Sequence, residues 1–538
     1  MNLQALADPA TAARQSKLVI DLATAELRAG NGNEAQRLLR DHLLKAPRDA
    51  DALAKLAEIA EENFRSEEAS VLLRRAADAA PTAVRFTALL RHLQAHVGAS
   101  AVLAELDRVP PAVRNDFNVK VEEIIALNAL AQSDREIAAI EELSRIAPGD
   151  TDVWITLGET LSAVGRREEA VAAVREALRI RPSCGAAYWA LANFKAFRFS
   201  DADVSAMRKA LKKNPGTADS ITLHFALGRA LESRGLHQQS FRHYAAGNQL
   251  QAAGFERSSM GCTAFVDAGI ATLTPPFFEQ RAGWGCPDPS PIFVVGMHRA
   301  GSTLVDQILA SHPEIEGTTE IKVLEAMWKR LWRQGAASGR HVFQELASVD
   351  AGEIAHLGEE YIERTRAFRT TDRPFFVDKM PPNWMRLALI RLALPNAKII
   401  DARRHPMACG FSNFKQHYRR NDNPFASSLE TTGAFYRDYW RFMTHFDDVQ
   451  PGAVHRILNE SLIDDPEGEI RRLLDFIGVP FDRTCFEFHA NKRAVRTPSA
   501  EQVRRPINRD GVDVWKNYKP WLGPLEAALG PALDHWEN

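Results

Sequence analysis

Cysteine is scarce in this chain, with five residues among 538 and no C-x-x-C pair. Scattered cysteines of odd number exclude a disulfide framework or a cysteine-paired zinc site, and they fit a reducing compartment. The sequence also lacks an uninterrupted apolar run of about 18 residues, so we expect no membrane span. Residues 1–17 have no apolar core of signal-peptide length. We therefore expect a cytoplasmic protein.

Charge of one sign is not in excess either. The chain has 67 Lys and Arg residues against 69 Asp and Glu residues, a net charge of −2. This balance provides no bulk basic field for nucleic acid, and no residue cluster suggests a metal site. The apolar content of 45% is ordinary for a soluble globular protein, and the length predicts two or three domains.

The first half of the chain contains a repeat of about 34 residues. Its clearest copy begins near residue 151 and has the spacing of a tetratricopeptide repeat at Trp154, Leu157, Gly158, Gly165, Ala170, Ala177 and Pro182. Further copies include Leu22, Leu53 and Leu227, whereas 81–148 is degenerate and 185–215 has a weak second helix. We expect six or seven helix pairs over roughly 16–250, stacked into a superhelix with a groove for a protein or peptide partner.

From Pro291 onward, short apolar segments alternate with helical patterns. The candidate strands are 292–295, 375–378, 398–401 and a weaker one at 454–458. This alternation predicts a parallel sheet with helices on both faces, and ligands bind beyond the carboxyl ends of such strands. We predict a repeat array over 1–250, a linker over 251–290 that ends in a Pro/Gly cluster, and an α/β domain over 291–538.

A glycine-framed loop, Gly-Met-His-Arg-Ala-Gly-Ser-Thr, follows the first predicted strand at 296–303. A strand, a loop and a helix N-terminus together form a cradle for phosphate or sulfate. The spacing is that of a nucleoside-triphosphate loop, but Ser302 stands where a lysine would reach the β- and γ-phosphates. The loop therefore favours a single 5′-phosphate with one further group, and Arg299 supplies the fixed cation.

The loops after the other predicted strands carry further cations and hydroxyl groups, with one carboxylate, Glu320, among them. They supply Lys379, Arg403, Arg404, Ser412, Ser499 and Arg504. Because these loops meet at one edge of a parallel sheet, they predict a pocket for a polyanionic ligand with one candidate base.

These motifs resemble the sulfotransferases that use 3′-phosphoadenosine 5′-phosphosulfate (PAPS), and specifically the bacterial members with a tetratricopeptide array. Residues 296–304 are similar to the family's 5′-phosphosulfate loop, and 401–412 are similar to its 3′-phosphate motif. The tail from 496 to 515 resembles the family's cofactor-covering segment. The protein-tyrosine sulfotransferases are similar in the same motifs.

The resemblance implies an N-terminal all-α tetratricopeptide superhelix followed by an α/β P-loop-like sulfotransferase domain with a parallel sheet. It implies transfer of a sulfuryl group from PAPS to a hydroxyl acceptor, which could be protein tyrosine, a glycan, a lipid or a small molecule. Glu320 would be the general base, Lys379 would reach the leaving oxygen and the sulfonate, and Ser499 would lie near the sulfonate.

The resemblance also assigns the cofactor contacts. The 5′ group would be held by Arg299, Ala300, Gly301, Ser302 and Thr303. The 3′-phosphate would be held by Arg404 and Ser412. A tail lysine found in the tyrosine-sulfating enzymes aligns with Val514 here, so Arg509 or Lys516 would take over its phosphate contact.

Alternatives remain open at this point. His298, inside the loop, could be the base instead of Glu320. Glu320 could merely pair with a helix dipole, Lys379 could form a surface ion pair, and Ser499 could cap a helix. At the level of function, the alternatives are a kinase-like phosphotransferase, or a repeat scaffold with a relict α/β domain.

Overall fold

The computed structural model describes most of the chain in two compact units, 1–148 and 149–538. The described ranges are 9–63, 65–194, 196–255, 261–318, 320–418, 423–491, 493, 495 and 502–537. Within these ranges, no helix combines the length and the hydrophobicity needed to cross a bilayer.

The first unit is all helical. Its helices are α1 (Pro9–Arg28), α2 (Gly32–Lys45), α3 (Ala50–Glu62), α4 (Ser66–Ala79), α5 (Ala83–His96), α6 (Ala99–Leu106), α7 (Pro111–Arg114), α8 (Phe117–Ala129) and α9 (Ser133–Ile146). Alanines at the predicted repeat positions, such as Ala57 and Ala69, are fully buried. Small side chains at these positions let the paired helices pack closely.

Three further helix pairs open the second unit. They are α10 (Thr151–Ala163) with α11 (Arg167–Ile180), α12 (Gly185–Asn193) with α13 (Asp201–Lys212), and α14 (Thr217–Glu232) with α15 (His237–Ala252). A Cβ at Gly158 would lie 2.4 Å from Val174, and one at Gly228 would lie 2.5 Å from Tyr244. Glycine is therefore required where these helices meet. With the first unit, the described residues contain seven long helix pairs, in agreement with the repeat prediction.

One detail of the repeat prediction is wrong. We expected a weak second helix within 185–215, yet α13 is a regular helix of 12 residues. Ser200 and Asp203 form a capping box at its start, in which each side chain bonds the other's backbone N–H. The short helix of this pair is instead the first, α12.

Two helices, α16 (Thr263–Thr272) and α17 (Pro275–Glu279), lie inside the segment predicted as a linker. Thr263 Oγ1 donates to Asp438 Oδ2 at 2.5 Å, and a Cβ at Gly269 would lie 2.6 Å from Phe442. This part of the segment thus packs directly on the α/β region. The domain limits at 250 and 290 stay predictions.

The described residues form one parallel sheet of five strands. The strands are β1 (Pro291–Gly296), β2 (Ile315–Gly317), β3 (Phe375–Lys379), β4 (Lys398–Arg403) and β5 (Val454–Leu458), in the order β2-β3-β1-β4-β5. The four predicted strands are confirmed. The sequence pattern missed β2 because three residues are too few to show an alternation.

Helices cover both faces of the sheet. They are α18 (Ser302–Leu309), α19 (Val323–Ala337), α20 (Val342–Ser348), α21 (Ala351–Thr365), α22 (Leu387–Ala393), α23 (Pro406–Phe414), α24 (Leu429–Val449), α25 (Asn459–Asp464), α26 (Pro466–Ile477), α27 (Gly523–Leu529) and α28 (Ala532–His535). On one face, Ile292 and Val294 share a core with α18 and α26. On the other, Phe293 packs on Tyr361 of α21.

The strand order places a switch point between β1 and β4. From β1 the chain turns toward β2, whereas from β4 it turns toward β5. Loops leaving adjacent strands in opposite directions open a crevice beyond the carboxyl edge of the sheet. The motif loops after β1 and β4 meet at this crevice.

Candidate functional site

The loop after β1 needs glycine at both ends. Gly296 has φ of 136°, and a Cβ there would lie 2.3 Å from the carbonyl oxygen of Ala402. Gly301 has φ of 101°, and its Cβ would lie 2.7 Å from Asn459 Oδ1. The loop is therefore held tightly against β4 and α25. It leads directly into α18.

Gly301 is the N-cap of α18, and Ser302 and Thr303 are buried in the first turn. A helix cannot satisfy the N–H groups of its own first turn, and the positive end of its dipole lies there. This helix start, which ends a tight loop, can therefore bind an anion. Ala300 is also buried, in the same loop.

Arg299 connects the two motifs that the sequence suggested. It has a left-handed φ of 67°, rare for a residue with a side chain. Its Nε donates to Ser412 Oγ at 3.2 Å, and its carbonyl accepts from Arg404 Nη1 at 3.2 Å. Arg404 Nη2 also donates to the carbonyl of Gly511 at 2.5 Å. The structure thus brings together Arg299, Arg404 and Ser412, and the C-terminal segment lies against them.

Glu320 and Lys379 form an ion pair. Lys379 ends β3 with its side chain only 6% exposed, while Glu320, after β2, is 45% exposed. Burial by itself would raise the pKa of Glu320, but the charge and hydrogen bond of Lys379, with His298 nearby, lower the pKa below its usual value. Glu320 is therefore a carboxylate at neutral pH, open to solvent on one side.

His298, inside the loop after β1, interacts electrostatically with both members of this ion pair. Burial mainly lowers its pKa to about 4, with Glu320 opposing the shift and Lys379 and Arg299 adding to it. Its ring packs near Tyr418 and Phe425, and its carbonyl accepts from Asn413 Nδ2 at 2.8 Å. The imidazole is neutral at pH 7, so His298 also has the protonation state of a base.

Arg509 and Lys516 do not join this group through any contact seen in the described residues. Arg509 pairs with Asp464, and Lys516 pairs with Asp513 at 2.7 Å; both side chains are more than half exposed. Neither arrangement indicates which of the two replaces the missing tail lysine. Ser499 lies outside the described residues.

Two arginines that we expected in the pocket are placed elsewhere. Arg403 is completely buried, bonds Asp401 Oδ2 at 2.7 Å and donates to the carbonyl of Trp536 at 2.8 Å. Arg504 Nη2 donates to the carbonyl of Ala163 at 2.7 Å, at the end of α10. Alternation along β4 turns Arg403 into the protein interior, and only its neighbour Arg404 lies at the crevice.

Sequence reasoning assigned no role to Asn459 or Lys415, which lie next to the motif loops. Asn459 Oδ1 lies 2.7 Å from the position that a Cβ on Gly301 would take. Lys415 follows α23 and pairs with Glu232 of α14 at 2.7 Å. No local pattern signals Lys415, because its partner lies 183 residues earlier in the chain.

One potential metal-ligand cluster occurs in the first unit, formed by Glu61, His92 and His96. Its central residue is already bonded on both ring nitrogens: His92 Nδ1 contacts Glu61 Oε1 at 2.5 Å, and Nε2 contacts Ser70 Oγ at 2.9 Å. This arrangement is a complete hydrogen-bond network between α3, α4 and α5. The candidate site in the second unit consists of cations, hydroxyls and one carboxylate, a set suited to an anionic ligand.

Comparison with known proteins assigns the two parts of the chain. Residues 291–483 match the model of the sulfotransferase family, and residues 20–84 and 151–184 match tetratricopeptide repeat models. The chain therefore contains a sulfotransferase-family domain preceded by tetratricopeptide repeats.

An uncharacterized protein of Aquifex aeolicus (strain VF5) is 27% identical over 407 residues, which cover 74% of this chain and 53% of that protein. Protein-tyrosine sulfotransferase A of Caenorhabditis elegans is 21% identical over 244 residues, covering 42% of this chain and 60% of the relative. The chain thus spans between half and three-fifths of the length of these two proteins.

Among solved structures, the sulfotransferase domain of the Synechococcus PCC 7002 olefin synthase covers 43% of this chain and 88% of its own length, with 22% identity and a TM-score of 0.32. The tetratricopeptide-repeat protein YrrB, titled as having an unusual peptide-binding site, covers 31% of this chain and 88% of its own, with 19% identity and a TM-score of 0.27.

Proposed function

We propose that this protein transfers a sulfuryl group from PAPS to a hydroxyl acceptor. The observation that carries the proposal is the junction of the two motif loops, where Arg299 bonds Ser412 through Nε and Arg404 through its carbonyl. One small ligand with an anionic group at each end of a ribose can span such a junction. The match to the sulfotransferase family model supports sulfuryl transfer in general.

The residues present suit PAPS chemically. Arg404 Nε is buried and has no hydrogen-bond partner among the described residues, so a phosphate oxygen could satisfy it. Any residue with a Cβ at position 301 would fill the space between the loop and Asn459. Glycine at this position keeps that space free at the start of α18, where an anion could bind. We assign the 5′ end to Arg299, Ala300, Gly301, Ser302 and Thr303, and the 3′-phosphate to Arg404 and Ser412.

PAPS would supply the sulfuryl group. Side chains after β2 and at the end of β3 would accept the proton of the acceptor hydroxyl and stabilise the charge on the leaving oxygen. Glu320, ionised and partly exposed, accepts the proton of the acceptor hydroxyl. Lys379 stabilises the negative charge that develops on the leaving oxygen. Their ion pair holds both groups in place before the ligand enters. His298 is the second candidate for the base, because its imidazole is unprotonated at neutral pH and interacts electrostatically with Glu320.

We infer that the acceptor is a hydroxyl group on a protein or peptide. Two features support this choice: the relative that is named a protein-tyrosine sulfotransferase, and the repeats, a fold that often binds peptides. Glycan, lipid and small-molecule acceptors are the alternatives. A radiolabelled-sulfate screen of host lysate, followed by identification of the labelled product, separates these acceptor classes.

A kinase-like function is less well supported. Ser302 occupies the position of the phosphate-binding lysine. Asp401, the one candidate for a metal-holding aspartate after an apolar strand, is fully buried and bonded to Arg403 and Tyr439. In a relict scaffold, nothing would maintain the pair of buried Lys379 and half-exposed Glu320 next to an intact loop at 296–303, which we call the anion loop.

Thermal unfolding with added nucleotide tests the proposal. Adenosine 3′,5′-bisphosphate at a hundredfold excess over its Kd should stabilise the protein by about 2.7 kcal/mol, whereas ATP with Mg²⁺ should have little effect. Stabilisation by ATP with Mg²⁺ alone would favour the kinase alternative. Absence of an effect from either nucleotide would favour the scaffold.

A further inference from the structure

The last repeat hairpin, α14 with α15, packs on the segment that carries Ser412. Asn248 Nδ2 donates to the carbonyl of Phe414 at 2.7 Å, and His417 Nδ1 lies 3.0 Å from Gln251 Oε1. Ser240 Oγ and the Tyr518 hydroxyl are 3.0 Å apart. The contacts at Phe414 and His417 lie on both sides of Lys415. The repeat hairpin therefore fixes the position of the chain just after Ser412.

A carboxylate from this hairpin reaches the same segment. Glu232, near the end of α14, accepts from Lys415 Nζ at 2.7 Å and from the Tyr244 hydroxyl at 2.7 Å. Burial would raise the pKa of Glu232, but the charges of Lys415 and Arg229 outweigh it and lower the pKa to about 2. Glu232 is therefore ionised, and its two closest bonds go to Lys415 and Tyr244.

Arg229, one turn earlier on α14, makes only a long ion-pair contact with Glu232 among the described residues. Its Nη1 is 3.7 Å from Glu232, and its buried Nε has no hydrogen-bond partner among the described residues. The side chain is 18% exposed. A guanidinium held in this way has donors available for an incoming anion.

Arg229 shares its surroundings with the predicted phosphate-binding residues. Burial is the main reason that the pKa of Arg299 falls to about 10, and repulsion from Arg229 and Arg404 contributes. Burial likewise lowers the pKa of Lys415 to about 8 against the attraction of Glu232, with Arg229 and Arg299 again repelling it. Arg229 and Arg404 therefore each lie close enough to repel Arg299, and Arg229 and Arg299 each lie close enough to repel Lys415.

Acidic groups near these cations are fewer. Glu232 is one, and Glu460, which accepts from the backbone N–H of His405, is another close to Arg404. Buried like charges destabilise a protein unless an opposite charge compensates them. A dianionic phosphate would supply the missing negative charge.

We propose that Arg229, a residue of the repeat array, binds the 3′-phosphate of the donor nucleotide together with Arg404 and Ser412, and that Glu232 holds Lys415 beside them. This inference rests on the proposed function, because it concerns the same nucleotide. It makes the last repeat hairpin part of the nucleotide site. The array would then contribute to donor binding as well as to partner recognition.

The test compares two nucleotides on the full-length protein. Isothermal titration measures the Kd of adenosine 3′,5′-bisphosphate, and competition against it measures that of 5′-AMP, which lacks the 3′-phosphate. Arg229→Ala should weaken the bisphosphate about 10- to 100-fold, as expected for lost charge-assisted hydrogen bonds, and should change 5′-AMP by less than about threefold. Arg229→Lys should recover part of the loss.

Arg242→Ala is the matched control, because it removes an exposed arginine from α15 of the same hairpin. It should leave both affinities unchanged. Arg229→Gln, which keeps most of the side-chain length, replaces Arg229→Ala if the alanine variant does not fold. An unchanged bisphosphate affinity, or an equal loss for both nucleotides, would overturn the role of Arg229 while leaving the proposed function standing. Failure of the wild-type protein to bind the bisphosphate would instead refute the proposed function, and the inference with it.

Discussion

At the scale of single residues, the chemistry of the candidate site depends on the contact between Glu320 and Lys379. Lys379 is nearly buried and Glu320 is half exposed, so the pair lies at the boundary between protein and solvent. Each group limits what the other can do: the lysine keeps the glutamate ionised, and the glutamate gives a buried lysine its counter-charge. Two substitutions separate these effects.

Glu320→Gln should reduce the rate of sulfuryl transfer by about 10²- to 10⁴-fold, the usual contribution of a general base. Binding of adenosine 3′,5′-bisphosphate should stay within about threefold of wild type, because the anion loop is untouched. Single-turnover transfer and titration measure the two quantities. His298→Gln is the control, and a larger rate loss in that variant than in Glu320→Gln would assign the base to His298.

Lys379→Met should move the acid limb of the pH–rate profile to higher pH. Burial raises the pKa of Glu320, and Lys379 is the main group that opposes it, so removing the lysine should let the pKa rise. The profile of kcat/KM against pH measures this shift. Lys322→Met removes a more distant cation, exposed at the start of α19, and should shift the limb less. An unmoved limb in Lys379→Met would show that Glu320 is not the group titrating.

At the scale of elements, the end of β4 carries one arginine that stabilises the fold and is followed by another that contacts the loop after β1. Arg403 and Arg404 are adjacent in sequence, yet one is bonded to Asp401 inside the protein and the other bonds the backbone of the anion loop. The loop itself depends on two glycines whose added Cβ atoms would meet β4 and α25. Nucleotide binding at this edge of the sheet should therefore depend on close packing of the loop backbone against β4 and α25.

The two arginines should respond differently to substitution. Arg403→Met leaves the buried carboxylate of Asp401 without its main counter-charge and should lower the free energy of unfolding by about 3–5 kcal/mol. Arg404→Ala should cost far less stability but should weaken adenosine 3′,5′-bisphosphate binding by at least tenfold. Chemical denaturation and titration measure these values. Equal affinity in Arg404→Ala and wild type would mean that the 3′-phosphate site is misplaced.

Gly301→Ala should weaken nucleotide binding and stability together. The substitution adds the cost of a left-handed backbone, about 1–2 kcal/mol, and forces Asn459 away from the loop. Gly339→Ala is the control, since its φ of 69° also requires a left-handed backbone but its Cβ would lie in open space. Melting temperature and nucleotide Kd should both change in Gly301→Ala, whereas only the melting temperature should change in Gly339→Ala. A normal Kd in Gly301→Ala would remove the loop from the binding site.

At the scale of the whole molecule, the last three helix pairs of the array belong to the same compact unit as the sheet. Arg504 bonds the end of α10, Asn248 bonds the chain after α23, and Glu232 pairs with Lys415. These contacts join residues that are far apart in sequence. Stability of the candidate site is therefore coupled to stability of the repeats beside it.

The free energy of unfolding of this unit should fall as pH rises from the unfolded to the folded pKa of Asp378. In this range the Asp378 carboxyl is ionised in the unfolded chain but protonated in the folded protein. Burial is the main cause that raises the pKa of Asp378 to about 7, from an ordinary value near 3.8. Between these two pKa values the folded protein binds one proton that the unfolded chain has lost. Each pH unit in this range therefore lowers the free energy of unfolding by up to about 1.4 kcal/mol. The loss levels off above the folded pKa.

Asp378→Asn keeps an acceptor for the Tyr361 hydroxyl but removes this titration. The difference in melting temperature between the variant and the wild type should grow from pH 4 to pH 7 in favour of the variant. Scanning calorimetry at matched ionic strength measures it. A difference that is constant across this range would show that Asp378 does not titrate as its burial requires.

Much of this architecture could be inferred from local patterns. The 34-residue spacing predicted the helix pairs, and apolar segments predicted β1, β3, β4 and β5. Both signals arise because helices and strands expose a regular face to a core. The pattern failed at β2, which has three residues, and at α13, where a capping box formed by Ser200 and Asp203 starts a regular helix.

The motif at 401–412 shows where local information ends. Its composition predicted a basic strand end, yet only folding showed that Arg403 turns inward and Arg404 lies at the crevice. Likewise, the pairing of Lys415 with Glu232 depends on a contact across 183 residues. Sequence periodicity established the elements of this protein, because periodicity is a property of neighbouring residues. Which charged side chains lie close together was decided only by the packing of distant segments, because electrostatic interaction depends on distance in space.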